Sequence, residues 1–527
     1  LGTSAGLAAP DESPFQVTQP VRLTVGDATP TRTYSSPMIA VDPENENIVL
    51  AAYAEMRSAR CGVARSTDGG RSWKRLEATP SLPSYPFCFT PAGTNVHQGQ
   101  LAFGRNHTVY LALPGWDVQD GRNFSVLLAR STDLGDTWST TIVRDARGRT
   151  PVETNRPVAS IAVDTRGPED TVYVGWPVFR MGFPTPMIGV STDGGKTFGE
   201  PVSLIGDHFA SEETRQAALL GRPTKAPPFE TRPPTPPDQI TAEKFGGCCS
   251  RVVLDDKGTV YALWPLATTI VPGPQPSHYL SRSTDGGKTF TVSQAVLPSA
   301  TLGNVSIRWS PLGGPEGTLH LAYENKVPPL QGDRDVFHQS SADGGRTWTT
   351  PRMLNDDDPK LLAAQFMPNM NVAPNGRIDV AWWDFRNDTG AFRNDVYMAS
   401  SGDNGRTWSP NIRVTNQSID RKIGPWSNGY DVRQPVGLTA TDRYTFAAWD
   451  DTRNGDADGE AQDLYGAFVQ FEPLPPPVSH TWVYTLAAVS GLVLAGAVIT
   501  VLGLVNRRRT RSPERAAEPA LEPAEVT

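Results

Sequence analysis

The sequence predicts an all-β fold: a seven-bladed β-propeller whose blades are four-stranded and antiparallel. One observation is the motif Ser-x-Asp-x-Gly-x-x-Trp/Phe, which occurs six times along the 527 residues. The second is a pair of short strands, rich in Val, Ala, Trp and Tyr, which occurs seven times. The third is a strand-like segment, 15–26, that has no place in the first blade. A repeated strand unit of this kind is typical of a propeller, in which each repeat forms one blade.

The six copies of the motif mark the turn between the third and the fourth strand of the first six blades. Asp accepts hydrogen bonds from nearby backbone N–H groups in a tight turn, and Gly tolerates positive φ. The aromatic residue packs inward and holds the turn against its neighbour. We therefore predict that these residues are scaffold. The aspartates of the six copies are Asp68, Asp133, Asp193, Asp285, Asp343 and Asp403.

The seven strand pairs set the number of blades. Their second members are segments 48–57, 108–115, 171–180, 259–265, 318–325, 377–386 and 444–453. Only one strand, 463–471, follows the seventh pair, so this blade lacks a fourth strand. Segment 15–26 is predicted to take that place and to close the ring, which protects the strand edges. The alternative is a six-bladed ring with one strand pair outside it.

Two further segments are assigned by composition. Residues 1–14 begin small and apolar and are interpreted as the remnant of a leader. An insertion, 206–247, lies between blades three and four and is rich in Pro and charged residues, so we predict a loop over one face. The net charge is −8 and arginine is spread along the chain, which excludes nucleic acid as an expected partner.

The C-terminal part predicts a membrane anchor. Residues 482–505 carry no charge and are mostly Leu, Val, Ala, Gly and Ile, which is long enough for a helix that spans a bilayer. The proline-rich residues 472–481 form a predicted stalk, and residues 506–527, which begin with a basic cluster, form a predicted cytoplasmic tail. We therefore expect a single-pass protein of the cell membrane with the propeller, 15–471, outside the cell.

Topology brings charged residues together on one face. The first strand of each blade runs along the channel away from this face and the second returns to it, so strand starts and strand ends meet around the axis. The candidate catalytic residues are Glu55, Asp384 and Asp451 at strand ends and Tyr430 before blade seven. The candidate ligand-binding residues are Arg57, Arg156, Arg180, Arg251, Arg386, Arg433 and Arg453. The alternative is a ring of solvated salt bridges of little energetic value.

The repeated motif resembles the Asp-box, or bacterial neuraminidase repeat, and the resemblance covers about residues 15–471. It implies a propeller of the sialidase superfamily. Sialidases bind the sugar carboxylate with three arginines and use a Tyr nucleophile, activated by Glu, with an Asp acid/base. Their first arginine lies in a Phe/Tyr-Arg-Ile-Pro motif, but Ser35 holds that position in Tyr34-Ser35-Ser36-Pro37 of this chain. Whether the chain is a glycosidase is therefore left open.

Four cysteines and an extracellular location permit disulfides. Cys61 and Cys88 are both expected on the charged face, so this pair is our preferred bridge. Cys248 and Cys249 are adjacent, and they form a vicinal disulfide or each pair elsewhere.

One acidic loop gives a candidate metal site. Asp456, Asp458 and Glu460 have the oxygen-rich spacing of a loop that binds Ca²⁺. No bidentate Glu follows at the twelfth position, so a polar turn is the alternative interpretation. No other cofactor is expected.

Two function classes fit these patterns. In the first, the chain is a cell-surface, sialidase-like propeller that binds or hydrolyses a glycan at the charged central face. In the second, it is a non-enzymatic adhesion or assembly module that holds a protein partner. The fold cannot choose between them, because one fold hosts many functions. Paired carboxylates at glycosidase separation in the channel would favour the first.

Overall fold

A computed structural model describes residues 15–27, 29, 32–85, 100–116, 124–145, 153–155, 159–180, 183–204, 250–265, 278–293, 305–325, 334–388, 392–424, 435–455 and 461–471. The chain divides into two units, Leu1–Glu472 and Pro473–Thr527, and all described residues belong to the first. The predicted leader remnant, insertion, stalk, membrane span and tail lie outside the described residues. In the described part, no helix is both long and apolar enough to cross a membrane.

The described part of the chain consists mainly of short strands. In chain order they are β1 (Phe15–Val17), β2 (Val21–Arg22), β3 (Tyr34–Asp42), β4 (Asn45–Glu55), β5 (Arg60–Ser66), β6 (Lys74–Arg75), β7 (Gln100–Phe103), β8 (Val109–Trp116), β9 (Phe124–Ser131), β10 (Ser139–Arg144), β11 (Glu153–Asn155), β12 (Ser160–Asp164), β13 (Thr171–Arg180), β14 (Phe183–Ser191), β15 (Val202–Ser203), β16 (Arg251–Leu254), β17 (Val260–Pro265), β18 (His278–Ser283), β19 (Thr291–Ser293), β20 (Val305–Ser310), β21 (Thr318–Asn325), β22 (Asp335–Ser341), β23 (Arg352–Met353), β24 (Gln365–Val372), β25 (Ile378–Asp384), β26 (Arg393–Ser401), β27 (Ile412–Arg413), β28 (Ile419–Asp420), β29 (Gly437–Ala440), β30 (Tyr444–Asp451) and β31 (Asp463–Phe471). A 3-10 turn, Pro359–Leu361, precedes β24.

The described strands form seven blades around an axis. Each of the first six blades consists of four consecutive antiparallel strands: β3–β6, β7–β10, β12–β15, β16–β19, β20–β23 and β24–β27. The first strand of each blade lines the axis and the fourth lies at the outer edge. Two short strands are additions to this plan. Strand β11 pairs with β9 and β13 and so joins blades two and three, and β28 pairs with β26 in blade six.

Blade seven is closed by the N-terminal segment. Its first three strands are β29, β30 and β31, and both β1 and β2 pair antiparallel with β31 at the outer edge. The register joins Phe15 to Phe471 and Val21 to Gly466. Pro20, which has no N–H to donate, lies where this outer strand is interrupted. The prediction of seven blades is confirmed, and the six-bladed alternative is wrong because the seventh strand pair, β29 and β30, lies within the ring.

The hydrophobic core lies between neighbouring blades. Successive residues of a strand point to opposite faces of the sheet, so one blade contributes to two interfaces. Trp382 belongs to a core cluster that includes Ala322 of blade five, while the next residue, Trp383, belongs to a cluster that includes Ala447 of blade seven. Both indoles are buried. The second strands are apolar along their length because each blade is covered by a neighbouring blade on both faces.

The Asp-box turns lie on the face opposite to the ends of the second strands. The box of blade one contacts the hairpin between the first two strands, since Gly69 N donates to Asn47 O at 2.8 Å. At the other end of the same blade, the start of the first strand meets the end of the second, where Tyr34 pairs with Glu55. We call the face of the second-strand ends the upper face. The predicted sorting of residues between the two faces agrees with these contacts.

The boxes have one hydrogen-bond pattern in all six copies. The Ser hydroxyl lies 2.7–2.9 Å from Asp Oδ1. A Ser or Thr four residues after the Asp donates its hydroxyl to Asp Oδ2 at 2.6 Å. Burial acts to raise the pKa of Asp193, but hydrogen bonds from Thr197 and Ser191 outweigh it and lower that pKa to about 2. Such saturated carboxylates fit the predicted scaffold role.

Candidate functional site

The seven first strands enclose a cavity of about 390 Å³ on the propeller axis. Every blade contributes at least one residue to its wall, and most of the side chains there are aliphatic. The charged side chains among the described wall residues are Arg251 and Arg308. Of the predicted ligand-binding arginines, Arg251 therefore lines this cavity, whereas Arg308 was not singled out from the sequence.

The two arginines reach the cavity from adjacent blades. Arg251 begins β16 of blade four, and Arg308 lies in the middle of β20 of blade five. Arg308 Nη1 donates to the carbonyl of Ile307 at 2.8 Å. Burial lowers the pKa of Arg251 to about 10, and burial together with the charge of Arg251 lowers the pKa of Arg308 to about 10. Both guanidinium groups remain charged at neutral pH, and they repel each other.

Polar side chains in the same wall join neighbouring first strands. Gln100 Oε1 accepts a hydrogen bond from Ile161 N at 3.0 Å, and Asn369 Nδ2 donates to Val436 O at 2.8 Å. These bonds cross from blade two to blade three and from blade six to blade seven. They hold the cavity wall in a fixed shape, so the arginines project from a rigid support.

The end of the second strand in blade six carries a buried ion pair. Arg386 donates to Asp384 Oδ2 through Nε at 3.0 Å and through Nη2 at 2.8 Å. Trp382 Nε1 donates to the same oxygen at 2.9 Å, and the backbone N–H of Arg386 donates to Oδ1 at 2.8 Å. The guanidinium also lies over the ring of Tyr397, 4.1 Å from its centroid. Asp384 is thus held from both sides.

Blade seven repeats this arrangement. Trp449 Nε1 donates to Asp451 Oδ2 at 2.9 Å, and Arg453 Nη2 donates to the same oxygen at 2.7 Å. Arg453 lies over the ring of Tyr465 at 4.2 Å. We call these two sets of residues, Trp382, Asp384, Arg386 and Tyr397 in blade six and Trp449, Asp451, Arg453 and Tyr465 in blade seven, the exit clusters.

The exit clusters contain two of the candidate catalytic residues, Asp384 and Asp451. Asp384 and Asp451 have an exposed fraction of 0%. A general acid, a base or a nucleophile must reach its substrate, and here the carboxylate oxygens are engaged by indole, guanidinium and backbone donors. These contacts favour a structural role for both residues, and their catalytic role stays a prediction. Arg386 and Arg453 are likewise committed to these carboxylates.

Blade one departs from the exit-cluster pattern. Glu55 Oε1 is bound by Arg75 of the fourth strand at 2.6 Å, whereas the side chain of Arg57 is exposed. Burial acts to raise the pKa of Asp27, but hydrogen bonds from the Tyr34 hydroxyl and from Thr29 outweigh it and lower this pKa to about 2. The predicted pairing of an acid with the arginine two residues later therefore holds in blades six and seven but not in blade one.

The segment that matches the sialidase arginine motif is buried in this chain. Ser35 and Ser36 are 0% and 1% exposed, and neither hydroxyl has a hydrogen-bond partner among the described residues. Ser36 adopts a positive φ of 61°, where the pairing of β3 with β4 shifts register. The following residue, Pro37, reaches the axial cavity. The position of the expected arginine is therefore occupied by a small side chain inside the blade.

Several predicted site residues lie outside the described residues. They are Arg156, Tyr430 and Arg433, the loop residues Asp456, Asp458 and Glu460, and the cysteines Cys88, Cys248 and Cys249. Arg180 ends β13, but only its backbone is described. Cys61 is disulfide-bonded, and its pairing with Cys88 stays a prediction. Within the described ranges, no group of three or more His, Cys, Asp or Glu side chains could hold a metal ion.

Sequence reasoning missed two kinds of residue that matter here. The indole donors Trp382 and Trp449 precede their aspartates by two positions in both exit clusters, and this repeated Trp-x-Asp-x-Arg spacing is a signal that the sequence carries. Arg308 has no comparable signal. It is a single charged residue within a strand, and only the closed ring shows that it faces the axis.

A family model described as a BNR repeat-like domain matches residues 252–423. The matched part runs from blade four through blade six and includes three of the Asp-boxes, those of Asp285, Asp343 and Asp403. The match supports the resemblance to the sialidase superfamily over this part of the ring. No curated protein matches the chain.

Solved structures similar to the chain have low sequence identity to it. A protein of unknown function from Dyadobacter fermentans is 13% identical, over 87% of this chain and 100% of its own, with a TM-score of 0.44. An α-L-arabinofuranosidase from Fusarium graminearum is 13% identical, over 73% of this chain and 98% of its own, with a TM-score of 0.42. A Hadza microbial sialidase is 14% identical, over 80% of this chain and 73% of its own, with a TM-score of 0.42. Identities this low do not transfer an activity to this chain.

Proposed function

We propose that this chain is a sialidase-like propeller that binds a glycan at the upper mouth of its axial cavity. The observation that carries the proposal is the cavity of about 390 Å³, with Arg251 at the start of a first strand in its wall. A volume of this size is within the range of small-ligand sites, which runs from about 300 to 1,000 Å³. The sequence alone supports display of this site on the outside of the cell, through the predicted span 482–505.

Arg251 supplies the polar contact that such a site needs. A guanidinium presents several N–H donors in a planar fork, which suits the hydroxyl and carboxylate oxygens of sugars. The polar side chains of Gln100, Ser306 and Asn369 also line the cavity and offer further hydrogen-bonding groups to a sugar.

Binding is better supported than hydrolysis by the described residues. A glycosidase of the common kind needs two carboxyl groups within about 5 to 10 Å of each other at the scissile bond. Asp384 and Asp451 are buried in the exit clusters, and Glu55 is paired with Arg75. We therefore expect a glycan-binding protein, and we treat turnover as an outcome to be measured.

The proposal is tested with the full-length chain on an array of neutral and acidic glycans. We expect binding to one glycan class, and a loss of at least about tenfold in affinity in Arg251→Gln, because a charge-assisted hydrogen bond contributes about 1.5–3 kcal/mol. Arg352→Gln is the matched control. Arg352 is exposed on the outer strand of blade five, so its loss should leave binding unchanged.

Turnover is measured in parallel on fluorogenic glycosides, including sialosides, with Ca²⁺ and with a chelator. Hydrolysis that disappears in Arg251→Gln would make the protein a glycosidase that uses the same cavity. Failure to bind any glycan, or equal affinity in Arg251→Gln and in the unchanged chain, would overturn the proposal. The alternative function, a non-enzymatic module that binds a protein partner, would then be favoured.

A further inference from the structure

Blade five carries two buried histidines where the other blades with an Asp-box carry different residues. The first Ser of each box pairs with a residue of the second strand, so the six blades can be aligned by register. At the position of His320, the other five blades have Leu50, Tyr110, Tyr173, Tyr261 and Asp379. At the position of His338, they have the apolar residues Val63, Leu128, Ile188, Leu280 and Met398.

The residue that His320 contacts in blade six is also unusual. In the boxes of blades three, four and five, a glycine follows the Asp and lies near the Tyr hydroxyl of the preceding blade; these are Gly194, Gly286 and Gly344. The box of blade six has Asn404 instead, at a positive φ of 64° that glycine adopts at lower cost. His320 Nε2 lies 3.1 Å from Asn404 Oδ1. Three departures from the repeat therefore meet at one junction between blades.

The hydrogen bonds of this junction specify neutral imidazoles. The Thr318 hydroxyl donates to Leu312 O at 2.6 Å, so its oxygen accepts from Asn404 Nδ2 at 2.9 Å. The amide oxygen of Asn404 therefore faces His320, whose Nε2 must carry the hydrogen. His320 Nδ1 is then the acceptor for His338 Nε2 at 3.1 Å. This chain of donors and acceptors runs from blade six into the core of blade five.

The surroundings of the two histidines oppose a positive charge. They are 0% and 2% exposed. The outer strand β23 contributes Arg352, whose charge and the burial both lower the pKa of His338. The box of blade six contributes Trp408, whose ring lies 4.9 Å from that of His338, together with the charged residues Asp403 and Arg406. Asp403 already accepts hydrogen bonds from the Ser and Thr hydroxyls of its own box.

We propose that the junction between blades five and six is a proton-sensitive latch, which is closed at neutral pH and opens locally when His320 and His338 take up protons. Opening separates the box turn of blade six, 401–408, from β21 and β22 and lets water solvate the charged imidazoles. The matching junction between blades two and three is held by Tyr110, whose pKa is raised by burial to about 12. That junction therefore keeps its charge state in the same pH range.

The direction of the pH dependence follows from the pKa values. In an open junction the imidazoles have the ordinary value of 6.5, whereas in the closed junction burial lowers the pKa of His320 to about 4 and that of His338 to about 3. The open form therefore binds more protons below pH 6.5. The open fraction should be constant above this pH and grow by about tenfold per histidine for each pH unit below it, until the closed-form values are reached.

The test is hydrogen–deuterium exchange of the full-length chain at about pH 7.5 and about pH 5, corrected for the intrinsic exchange rate. The protection factor of residues 401–408 should fall by at least about tenfold at the lower pH. Residues 191–198, the box that lies against Tyr110, are the internal reference and should change by less than about twofold.

The variants restore the residues of another blade. His320→Tyr combined with His338→Leu gives blade five the residues that blade two has at these positions, and it should abolish the fall in protection of 401–408. His107→Asn is the matched control, since His107 is exposed and contacts Asp42 of blade one, and the fall should persist in it. If the double variant does not fold, His338→Leu alone should halve the fall on a logarithmic scale.

Three results would overturn the latch. They are an equal loss of protection in 401–408 and 191–198, constant protection in both segments, and a fall in 401–408 that is unchanged in the histidine variants. Neither histidine is among the described residues that line the axial cavity, so this inference is independent of the proposed glycan site. Loss of glycan binding in Arg251→Gln would leave the exchange of 401–408 unaltered.

Discussion

Arginines occur in two contrasting settings in this propeller. At the ends of the second strands, Arg386 and Arg453 each lie against a buried aspartate, at 2.8 Å and 2.7 Å. In the axial cavity, Arg251 and Arg308 line a wall whose described residues include no carboxylate. Burial acts to lower the pKa of Arg386, but the hydrogen bonds and charge of Asp384 outweigh it and the pKa is raised. The pKa of Arg308 is lowered, to about 10.

The difference separates arginines that are paired with a buried aspartate from arginines that line the axial cavity. An arginine that already has its anion gains little from a second one, and removing either partner leaves an uncompensated buried charge. Arg308 makes one hydrogen bond among the described residues, from Nη1 to Ile307 O, and the nearby charge of Arg251 lowers its pKa. A charged residue at the centre of a propeller is therefore weak support for a binding site until its own counter-ion is known.

The largest expected effect comes from breaking an exit cluster. Asp384→Ala leaves Arg386 buried without its principal carboxylate and leaves the indole N–H of Trp382 without its acceptor. We expect a loss of about 3–5 kcal/mol in the free energy of unfolding, as is typical for one partner of a buried ion pair. The loss is measured by urea denaturation of the full-length chain.

The control for this variant is an exposed ion pair. Asp136 binds Arg65 at 2.9 Å with about half of its side chain exposed. Asp136→Ala should therefore cost less than about 1 kcal/mol. If Asp384→Ala were no more destabilised than Asp136→Ala, the structural role would be contradicted, and a catalytic role for Asp384 would regain support.

The second-largest expected effect is a pH dependence of stability that comes from two buried, neutral histidines. His320 Nδ1 lies 3.1 Å from His338 Nε2 in the core of blade five, and His320 Nε2 lies 3.1 Å from Asn404 Oδ1. Burial lowers the pKa of His320 to about 4, and burial followed by the charges of His320 and Arg352 lowers the pKa of His338 to about 3. The ordinary value is 6.5, so below this pH the unfolded chain binds more protons than the folded chain.

The free energy of unfolding should therefore be highest above pH 6.5. It should decrease as the pH falls towards the pKa values that the two histidines have in the folded chain. The two histidines together should remove about 2–3 kcal/mol by one pH unit below 6.5. Urea denaturation at a series of pH values measures this slope. His338→Gln should reduce the slope in this window, and an unchanged slope would show that other groups cause it.

The fold was largely predictable from the sequence because its signals repeat. Six boxes and seven strand pairs define the blades without any long-range information. Closure by the N-terminus also has a local signal: Val21-Arg22-Leu23-Thr24 repeats the pattern of Ile412-Arg413-Val414-Thr415 in blade six. Arg22 binds Asp463 at 2.8 Å as Arg413 binds Asp395 at 2.8 Å, so the first strands of the chain act as the fourth strand of blade seven.

The candidate site was less predictable, because it depends on which side chains meet in space. Topology correctly brought Arg251 to the axis, where it lines the cavity. Topology alone did not predict that Asp384 is buried against Trp382 and Arg386, because the exposure of a side chain depends on how the blades pack together. Arg308 has an ordinary strand context in the sequence, and its direction depends on the register of β20 against β21.

A smaller effect of opposite sign should come from the cavity. Arg308→Gln removes one of two like charges that line the cavity, so in a buffer with chloride as its only anion we expect Tm to rise by about 1–2 °C. Arg386→Gln is the matched exit-cluster variant, and it should lower Tm because Asp384 loses its partner. Differential scanning calorimetry compares the two. A decrease in Tm of similar size in both variants would mean that the two settings do not differ.

The smallest effect on stability is expected at Arg57, the exit arginine of blade one. Its side chain is exposed, and the neighbouring acid, Glu55, binds Arg75. Arg57→Gln should therefore change the free energy of unfolding by less than about 0.5 kcal/mol, as is usual for exposed positions. The same variant tests whether the upper face takes part in binding. If the glycan extends from the cavity over blade one, the affinity of Arg57→Gln on the array should fall by a few fold while its free energy of unfolding stays constant. A loss of stability without a loss of affinity would instead show that Arg57 has a structural role.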